Sequence, residues 1–438
     1  MAPYPLLFAV AGRPILHSLS PVIFAAAFRE AGRDGVYTRL AVDTAEEALR
    51  LAGEIGLSGM NITSPLKEEI APRLDRLSDS ARAISAVNTV VRENDRWVGH
   101  NTDPAGVHAM IEAAGVQLGG SRVALLGAGG AARAAIYALR EGGAREVAIV
   151  NRSEDRGRQT AAEFGARFVA WADAEAGLAE ADLVFSCLPT TVAPLDPGWL
   201  SPGQTLLDAN YKSPRLAEVA KGAGCAYVGG RDWLLGQALA AYRLFLDEEP
   251  PAEAMGEVLA AAEIPASPER IALSGMMGTG KSASAEWLAR ELALDWIDTD
   301  RLVELHADAT IAELFASDGD AAFRKLEAAM VEHAVAGPPS VIALGGGALV
   351  AVGNRERVTR ASTVVWLWAD VDTCFHRAHG STRPLLAVDQ PRERLANLLV
   401  DRLGTYAGTS SLIVDTGRRS PHEVACKILE EIIHTWPK

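Results

Sequence analysis

The amino-acid sequence predicts an α/β fold in more than one domain, and three observations predict it. Short apolar runs alternate with Ala/Leu/Glu-rich stretches of helical character from the start of the chain. Residues 127–132 read Gly-Ala-Gly-Gly-Ala-Ala directly after the apolar run Arg122-Val-Ala-Leu-Leu126. Residues 275–282 read Gly-Met-Met-Gly-Thr-Gly-Lys-Ser, between the apolar run 270–274 and an Ala/Leu-rich segment with good helix propensity. Both glycine motifs stand at strand-to-helix turns, where parallel sheets gather anionic ligands at a helix N-terminus. At 438 residues the chain is long enough for two or three cores.

Composition narrows the function classes. With 49% hydrophobic and 22% charged residues the chain is of ordinary soluble type, neither disordered nor fibrous. A net charge of −14 argues against a general nucleic-acid binder, while local basic residues still allow anionic ligands. Cys187, Cys225, Cys374 and Cys426 are scattered, without Cys-x-x-Cys or His-Glu-x-x-His. Neither a disulfide framework nor a zinc site is expected, and a reducing, cytoplasmic setting is. The run 6–11 has no basic segment before it and reads as a first strand rather than a signal core. No apolar run is long enough to span a bilayer, so no membrane partner is expected.

Taken in order, residues 1–106 form an expected first α/β domain with strands at 6–11, 38–42, 59–63 and 88–92. Four loops carry polar residues: His17-Ser18-Leu19-Ser20-Pro21, Asn61-Ile62-Thr63-Ser64-Pro65-Leu66-Lys67, Val87-Asn88-Thr89 and Gly99-His100-Asn101-Thr102-Asp103. Singly, each is an ordinary turn or helix cap. Placed after strand ends of one parallel sheet, the four converge on one cleft.

Residues 107–237 read as a Rossmann domain. Gly127, Ala128, Gly129, Gly130 and Ala131 would offer backbone to a pyrophosphate in a Gly-x-Gly-x-x-Ala turn. The strand 147–150 ends in Asn151-Arg152-Ser153, with Arg156 nearby, where an NAD site would carry an acid. Basic residues suit a 2′-phosphate, so NADP(H) is expected. The plain alternative makes Arg152 and Arg156 solvated surface charges, and Glu154 and Asp155 weaken the local positive potential. Strands follow at 182–185 and 204–208, then a helix over 233–245 carrying Gln237. Residues 238–263 are its closing helical part, and Ile264-Pro-Ala-Ser-Pro268 looks like a linker.

In residues 269–438 the phosphate loop dominates. Nucleoside triphosphate contacts are expected from Gly278, Thr279, Gly280, Lys281, Ser282 and Ala283, with Lys281 neutralising transferring charge and the Ser282 hydroxyl on Mg²⁺. Asp298 and Asp300 end a second strand two positions apart, and alternation sends both to one side. Asp298 would then join Ser282 at the metal, and Asp300 would accept from a substrate hydroxyl. Arg324 follows on a helix, and Gly345-Gly346-Gly347 opens a loop whose backbone a ligand can approach. Residues 376–386 have the composition of a mobile basic lid, and Arg402, Arg418 and Arg419 add further arginines.

The loop spacing over residues 1–263 resembles the shikimate dehydrogenase family, and the motifs of 269–438 resemble shikimate kinase. The implied fold is a two-domain dehydrogenase, an α/β substrate domain plus a Rossmann NADP domain, followed by a P-loop kinase domain with parallel sheet. The first resemblance implies that Ser18 and Ser20 bind the substrate carboxylate, that Thr63, Asn88 and Gln237 hold ring hydroxyls, that Tyr211 lies on the substrate side, and that Lys67 with Asp103 form the catalytic pair. The second implies that Asp300, Arg324, Gly346, Gly347 and Arg402 bind shikimate. It also implies that Lys281 and Arg383 stabilise the transferring phosphoryl group and that Arg377, Arg419 and Pro421 frame the adenine.

Together they imply a bifunctional enzyme, a monomer or homodimer, that reduces 3-dehydroshikimate to shikimate with NADPH and phosphorylates shikimate with MgATP. Two other readings stand beside this one. Quinate or aminoshikimate would replace shikimate at one or both sites, against which the paired Ser18 and Ser20 speak. A non-catalytic sensor would be expected to lose Lys67, Asp103, Lys281, Asp298 or Asp300, and all are present. Two departures stand out. Ser186-Cys187-Leu188-Pro189-Thr190 replaces the dehydrogenase family's Asn-Ala-Thr-Pro-like run, and the lid is one residue shorter than expected.

Overall fold

A computed structural model describes residues 6–189, 195–212, 215–263, 268–378, 386 and 388–435. The chain divides into two units: residues 1–21, 34–57 and 265–438 form one, and residues 22–33 and 58–264 the other.

The first unit is built on parallel strands in the order Asp295–Asp298, Ser340–Ala343, Arg270–Ser274, Thr363–Trp368, Leu412–Asp415, Gly35–Ala41 and Leu6–Gly12. Their Val/Ile/Leu/Ala-rich sequences suit a sheet covered on both faces, and Ile342, Leu273, Val364, Ile413 and Leu40 are all buried. The chain's first two strands thus extend a sheet made otherwise from its last third, with Ile413 paired to Leu40 and Val414 to Ala41.

Charged side chains reinforce that junction. Asp43 accepts from Lys427 Nζ at 2.5 Å, from Arg419 at 2.8 Å and from Arg13 at 2.8 Å. Arg419 also reaches Glu47 at 2.5 Å, and Arg50 joins Asp415 at 2.5 Å and Glu54 at 2.9 Å. Burial alone would raise the Asp43 carboxyl, but the hydrogen bonds from Lys427, Arg13 and Arg419 outweigh it and hold it at about 2.

The second unit holds a fully parallel sheet in the order Ala226–Val228, Thr205–Asp208, Leu183–Ser186, Arg122–Leu126, Glu146–Asn151 and Arg167–Ala170. The helix Gly130–Glu141 leaves the end of its Arg122–Leu126 strand, as the glycine pattern predicts.

The other strands of this unit correct an expectation. Gly59–Ile62 pairs antiparallel with Thr89–Glu93, which pairs antiparallel with Arg96–His100, a strand where the sequence suggested only a loop. The polar loops still gather, for a different reason. Asn61 stands opposite Thr89 and Thr89 opposite His100, so the end of one strand, the start of the next and the end of the third share one edge. Asn88 precedes its strand, and in a parallel sheet it would lie at the far end.

The helices Asp103–Ala114 and Arg231–Leu246 pack with very little between them. A side chain at Gly236 would meet Ala105 O at 2.8 Å and Gly106 Cα at 3.0 Å, so glycine is required by this approach. Among the described residues no helix is long and apolar enough to cross a membrane, and the four cysteines are unpaired.

Two stability tests follow from these contacts. Gly236→Val should destabilise the second unit by about 1–3 kcal/mol, seen as a lower thermal midpoint. Asp43 has a lowered carboxyl in the fold, so its stabilisation is present above its unfolded value of 3.8 and is lost as pH falls toward about 2. The melting temperature of Asp43→Asn should therefore lie below that of the parent protein above about pH 4 and converge with it between about pH 4 and 2.

Candidate active sites

In the first unit a cavity of about 490 Å³ opens at the C-terminal ends of the strands, over the phosphate loop. The loop owes its curl to Gly278 and Gly280, both with φ above 80° (84° and 83°). A side chain at Gly278 would also press on Cys374 Cα at 3.0 Å and on the Cys374 carbonyl. Thr279 is buried, its hydroxyl donating to Met276 O at 2.8 Å. Lys281 opens the helix Lys281–Leu292 and donates to Gly275 O and Met276 O, each at 2.9 Å. Ser282 donates to Asp298 Oδ2 at 2.5 Å, and Ala283 completes this wall.

Asp298 and Asp300 both line the cavity, but strand alternation is not the cause. Asp298 ends its strand and caps the helix Thr299–Ala307, accepting from Asp300 N at 3.0 Å and Arg301 N at 3.2 Å. Asp300 lies on the first helical turn. Opposite it, Arg324 donates to the buried carboxylate of Glu327 at 2.7 Å, and Arg402 donates to Gly346 O at 2.9 Å. Burial raises the Glu327 carboxyl, with Arg324 working against the rise.

The glycine triplet has a packing reason. A Cβ at Gly345 would collide with Asp300 Oδ1, and one at Gly347 would sit 2.7 Å from Arg324 Nη1. These glycines therefore let the acid and the guanidinium approach the backbone. Glu327, as the partner of Arg324, and Tyr406, whose hydroxyl donates to Gly346 O at 2.5 Å, were not identified from sequence. The i, i+3 spacing of Arg324 and Glu327 was the available signal.

The two arginines expected at the adenine stand in different surroundings. Arg377 belongs to the helix Val371–Ala378 rather than to a lid, lines the cavity and donates to Thr416 O at 3.0 Å. Arg419 is held by Asp43 and Glu47, so its guanidinium is engaged at the junction described above. Arg383, Pro384 and most of residues 379–387 lie outside the described residues, as does Thr190.

In the second unit Lys67 begins the short helix Lys67–Ile70 and its ammonium donates to Asp103 Oδ2. Asp103 begins its own helix, is buried, and accepts from the Trp233 indole N–H on its other oxygen at 3.1 Å. Trp233 escaped the sequence reading, since an indole donor within an apolar helix face carries no local signal. Asn88 is buried and engaged: its Oδ1 accepts from Thr102 N at 2.7 Å and its Nδ2 donates to Thr102 Oγ1 at 3.0 Å. Asn61 donates to Asn88 O at 3.2 Å. Thr63 starts the turn leading to Lys67, its carbonyl accepting from Leu66 N at 3.0 Å. Gln237 is nearly buried and donates to Leu234 O at 2.9 Å, while Tyr211 is half-buried.

The glycine turn of this unit lies beside Lys67. A Cβ at Gly130 would stand 3.3 Å from Lys67 Cβ, which fixes the spacing between the helix N-terminus and the lysine stem. Gly127 has φ 108°, and Gly129 caps the following helix, with Ala128 and Ala131 beside it. Arg156 donates to Ala128 O at 3.1 Å and to Glu68 at 2.7 Å, so it lies against this turn, whereas Arg152 and Ser153 are exposed and Asn151 Nδ2 donates to Ser153 O at 2.8 Å. Buried Asp208 is pushed up to about 6 by burial, against hydrogen bonds from Asn210 N, Ser186 and Tyr227. Burial also raises the Cys187 thiol, and the Asp208 and Asp103 carboxylates add to it.

Ser18 and Ser20 belong to the first unit and stand together, Ser18 Oγ donating to Ser20 Oγ at 3.3 Å. Tyr37 is hydrogen-bonded to Ser20 and its hydroxyl is raised by burial.

Comparison with known proteins identifies both parts of the chain. A shikimate dehydrogenase substrate-binding domain profile matches residues 10–90, a shikimate/quinate 5-dehydrogenase profile residues 110–202, and a shikimate kinase profile residues 277–433. The NADP⁺ shikimate dehydrogenase of Moorella thermoacetica is 36% identical over 271 residues, 58% of this chain and 92% of that protein. The shikimate kinase of Symbiobacterium thermophilum is 42% identical over 165 residues, 37% of this chain and 95% of that protein. The chain belongs to both families, shikimate dehydrogenase and shikimate kinase.

Solved shikimate dehydrogenases agree with the fold. The Thermus thermophilus enzyme in complex with NADP(H) and shikimate matches with TM-score 0.53 and 35% identity, over 59% of this chain and 100% of that one. A quinate dehydrogenase from Corynebacterium glutamicum in complex with NAD matches with TM-score 0.54 and 28% identity, over 59% of this chain and 99% of that one.

The residues present fit the groups these families use. A positive-φ Gly127 turn at a helix N-terminus suits a pyrophosphate, and Arg156 donates to Ala128 O within it. The Gly278 and Gly280 curl suits a triphosphate, with the Ser282–Asp298 pair placed for a divalent cation beside it. Gly278→Ala should raise the kinase KM for ATP on the order of tenfold or more, through backbone strain and the clash with Cys374. Dehydrogenase rates on the same sample should be unchanged.

Proposed function

We propose that the two sites catalyse consecutive steps: reduction of 3-dehydroshikimate to shikimate with NADPH, then phosphorylation of shikimate by MgATP. A bifunctional enzyme of this kind is what a dehydrogenase and a kinase of one pathway in a single chain amount to. The observation that carries the reading is the pair of lysines. Each stands at a helix N-terminus beside a glycine turn, Lys67 bound to a buried carboxylate and Lys281 to loop carbonyls.

In the first reaction the nicotinamide supplies hydride. Lys67 donates the proton that the ketone oxygen takes up, and its positive charge stabilises the oxygen as negative charge builds there. Asp103 keeps Lys67 aimed, and Trp233 fixes the second Asp103 oxygen so that the carboxylate cannot turn away. Ser18 and Ser20 take the substrate carboxylate. Thr63, Asn88, Tyr211 and Gln237 lie toward the ring, Asn88 being held rigid by Thr102 and Asn61.

In the second reaction ATP supplies the phosphoryl group. Arg324 and Arg402 take the acceptor's carboxylate, a use for which the planar guanidinium fork is suited. Asp300 accepts from the hydroxyl that is phosphorylated, and Lys281 with Arg383 neutralises the transferring charge. Ser282 and Asp298 hold Mg²⁺, and Arg377 frames the base. The boundary between the activities falls in residues 264–268. A cytoplasmic setting suits the unpaired cysteines among the described residues.

Two variants test this on purified full-length protein. Lys67→Ala should lower the NADPH-dependent rate on the order of 10³-fold and leave phosphorylation intact. Lys281→Ala should lower phosphorylation by about 10²-fold or more and leave reduction intact. Quinate offered in place of shikimate at both sites should turn over poorly. A faster rate with quinate, or loss of both activities from one change, would count against the proposal.

A further inference from the structure

The loop that carries Ser18 is held by the far end of the chain. Glu431, on the C-terminal helix Pro421–Thr435, accepts from Ile15 N at 2.6 Å and from Leu16 N at 2.9 Å with a single carboxylate oxygen. Glu431 is 0% exposed, and Ile15 and Leu16 are buried with it. Three residues on, Ser18 N closes the turn onto Ile15 O at 2.9 Å. The other side of the turn is gripped by Arg39, which donates to Ser18 O at 3.0 and 2.5 Å and to Ser411 O at 3.1 Å. Both grips thus lead to the kinase part of the sequence. One is the last helix, the other the residue just before the strand Leu412–Asp415.

A buried carboxylate with its Oε1 unpartnered costs stability, and an apolar side chain would pack there at less cost. What Glu431 provides in return is a fixed acceptor for two consecutive amides that no strand partner satisfies, at a loop whose position decides where Ser18 points. One turn earlier on the same helix, Lys427 is anchored to Asp43, so the helix is itself fixed against the segment that follows the loop.

We propose that Glu431 is a positioning residue for the dehydrogenase reaction, acting from the kinase end of the chain by holding the Ile15–Ser18 turn in the conformation that receives the substrate carboxylate. This rests on the reading of Ser18 given above. The two activities then share a structural element although they share no catalytic residue. The dehydrogenase part of this chain is not a free-standing module with a kinase appended.

The test is steady-state kinetics on the full-length chain with Glu431→Ala, Glu431→Gln, Ser18→Ala and the double change Ser18→Ala/Glu431→Ala. Glu431→Ala should raise the KM for 3-dehydroshikimate about tenfold, with the KM for NADPH and both kinase KM values within about twofold of the parent protein. Glu431→Gln keeps an oxygen on the two amides and should recover most of the loss. The double variant should be no worse than Ser18→Ala, because both changes act on one contact.

An unchanged 3-dehydroshikimate KM in Glu431→Ala overturns the proposal. So does a double variant whose loss is the product of the two single losses, or an equal rise in the KM for NADPH. If Glu431→Ala does not fold, as judged by absent kinase activity, the same comparison made with Glu431→Asp, whose shorter side chain draws the oxygen away from the two amides, decides the matter. A raised KM in Glu431→Ala beside an unaltered one in Ser18→Ala would overturn the assignment of Ser18 alone and still support the anchoring of the turn by Glu431.

Discussion

The first unit depends on one backbone pairing, that of Leu412–Asp415 with Gly35–Ala41. Without it each strand would present a row of unpaired amides and carbonyls, an open edge that would invite other strands. The pairing closes both edges at once and joins segments almost the whole chain apart in sequence. Once it exists, the charges flanking it need partners. Asp43 and Glu47 follow the strand Gly35–Ala41, and Asp415 ends the strand Leu412–Asp415. Arg419, Lys427 and Arg50 answer them. Arg419 is 16% exposed in its side chain, so its ion pairs are screened less than surface ones and cannot be dismissed as solvated contacts.

The same contacts bear on the nucleotide role expected of Arg419. A guanidinium shared by two carboxylates is displaced only at the cost of leaving both acids without it, one of them 12% exposed. The residue that remains at the cavity is Arg377, which donates to the carbonyls of Thr416 and Gly417. A neutral acceptor holds a cation less tightly than an acid does. Arg377 is therefore the arginine of the two whose position leaves it available to an anionic or aromatic ligand.

Much was legible in the sequence because the chemistry is local. Each glycine turn sits between a strand and a helix and contributes its own backbone, so residues 127–132 and 275–282 carried their meaning without tertiary information. Lys67 and Asp103 were legible only through family resemblance, since their 36-residue separation is bridged by a sheet edge that no periodicity marks. The antiparallel hairpin Thr89–Glu93 to Arg96–His100 was misread because Asn94 and Asp95, both with positive φ, make a tight turn between short polar-rich strands. The Leu412–Asp415 to Gly35–Ala41 pairing left no signal, because both strands look like ordinary buried parallel strands wherever they are placed. Trp233 and Glu431 were invisible for a related reason: each acts on a group distant in sequence from a helix whose own pattern is complete without it.

The two lysines are prepared in opposite ways, and the difference follows from what each must do. Lys67 stands in a largely buried place, its side chain 15% exposed. Its carboxylate partner is itself 3% exposed and secured on its far oxygen by Trp233. In the proposed reduction such a pair lets the same lysine meet each new substrate from one position. Lys281 donates to two carbonyls of its own loop. Those contacts are neutral and are readily exchanged for phosphate oxygens, whose charge gives the stronger interaction. A carboxylate in that place would compete with the phosphates for the ammonium and repel them as well. Under the proposed roles a tightly held acid therefore suits the first lysine better than the second, although both stand at the start of a helix beside a glycine turn.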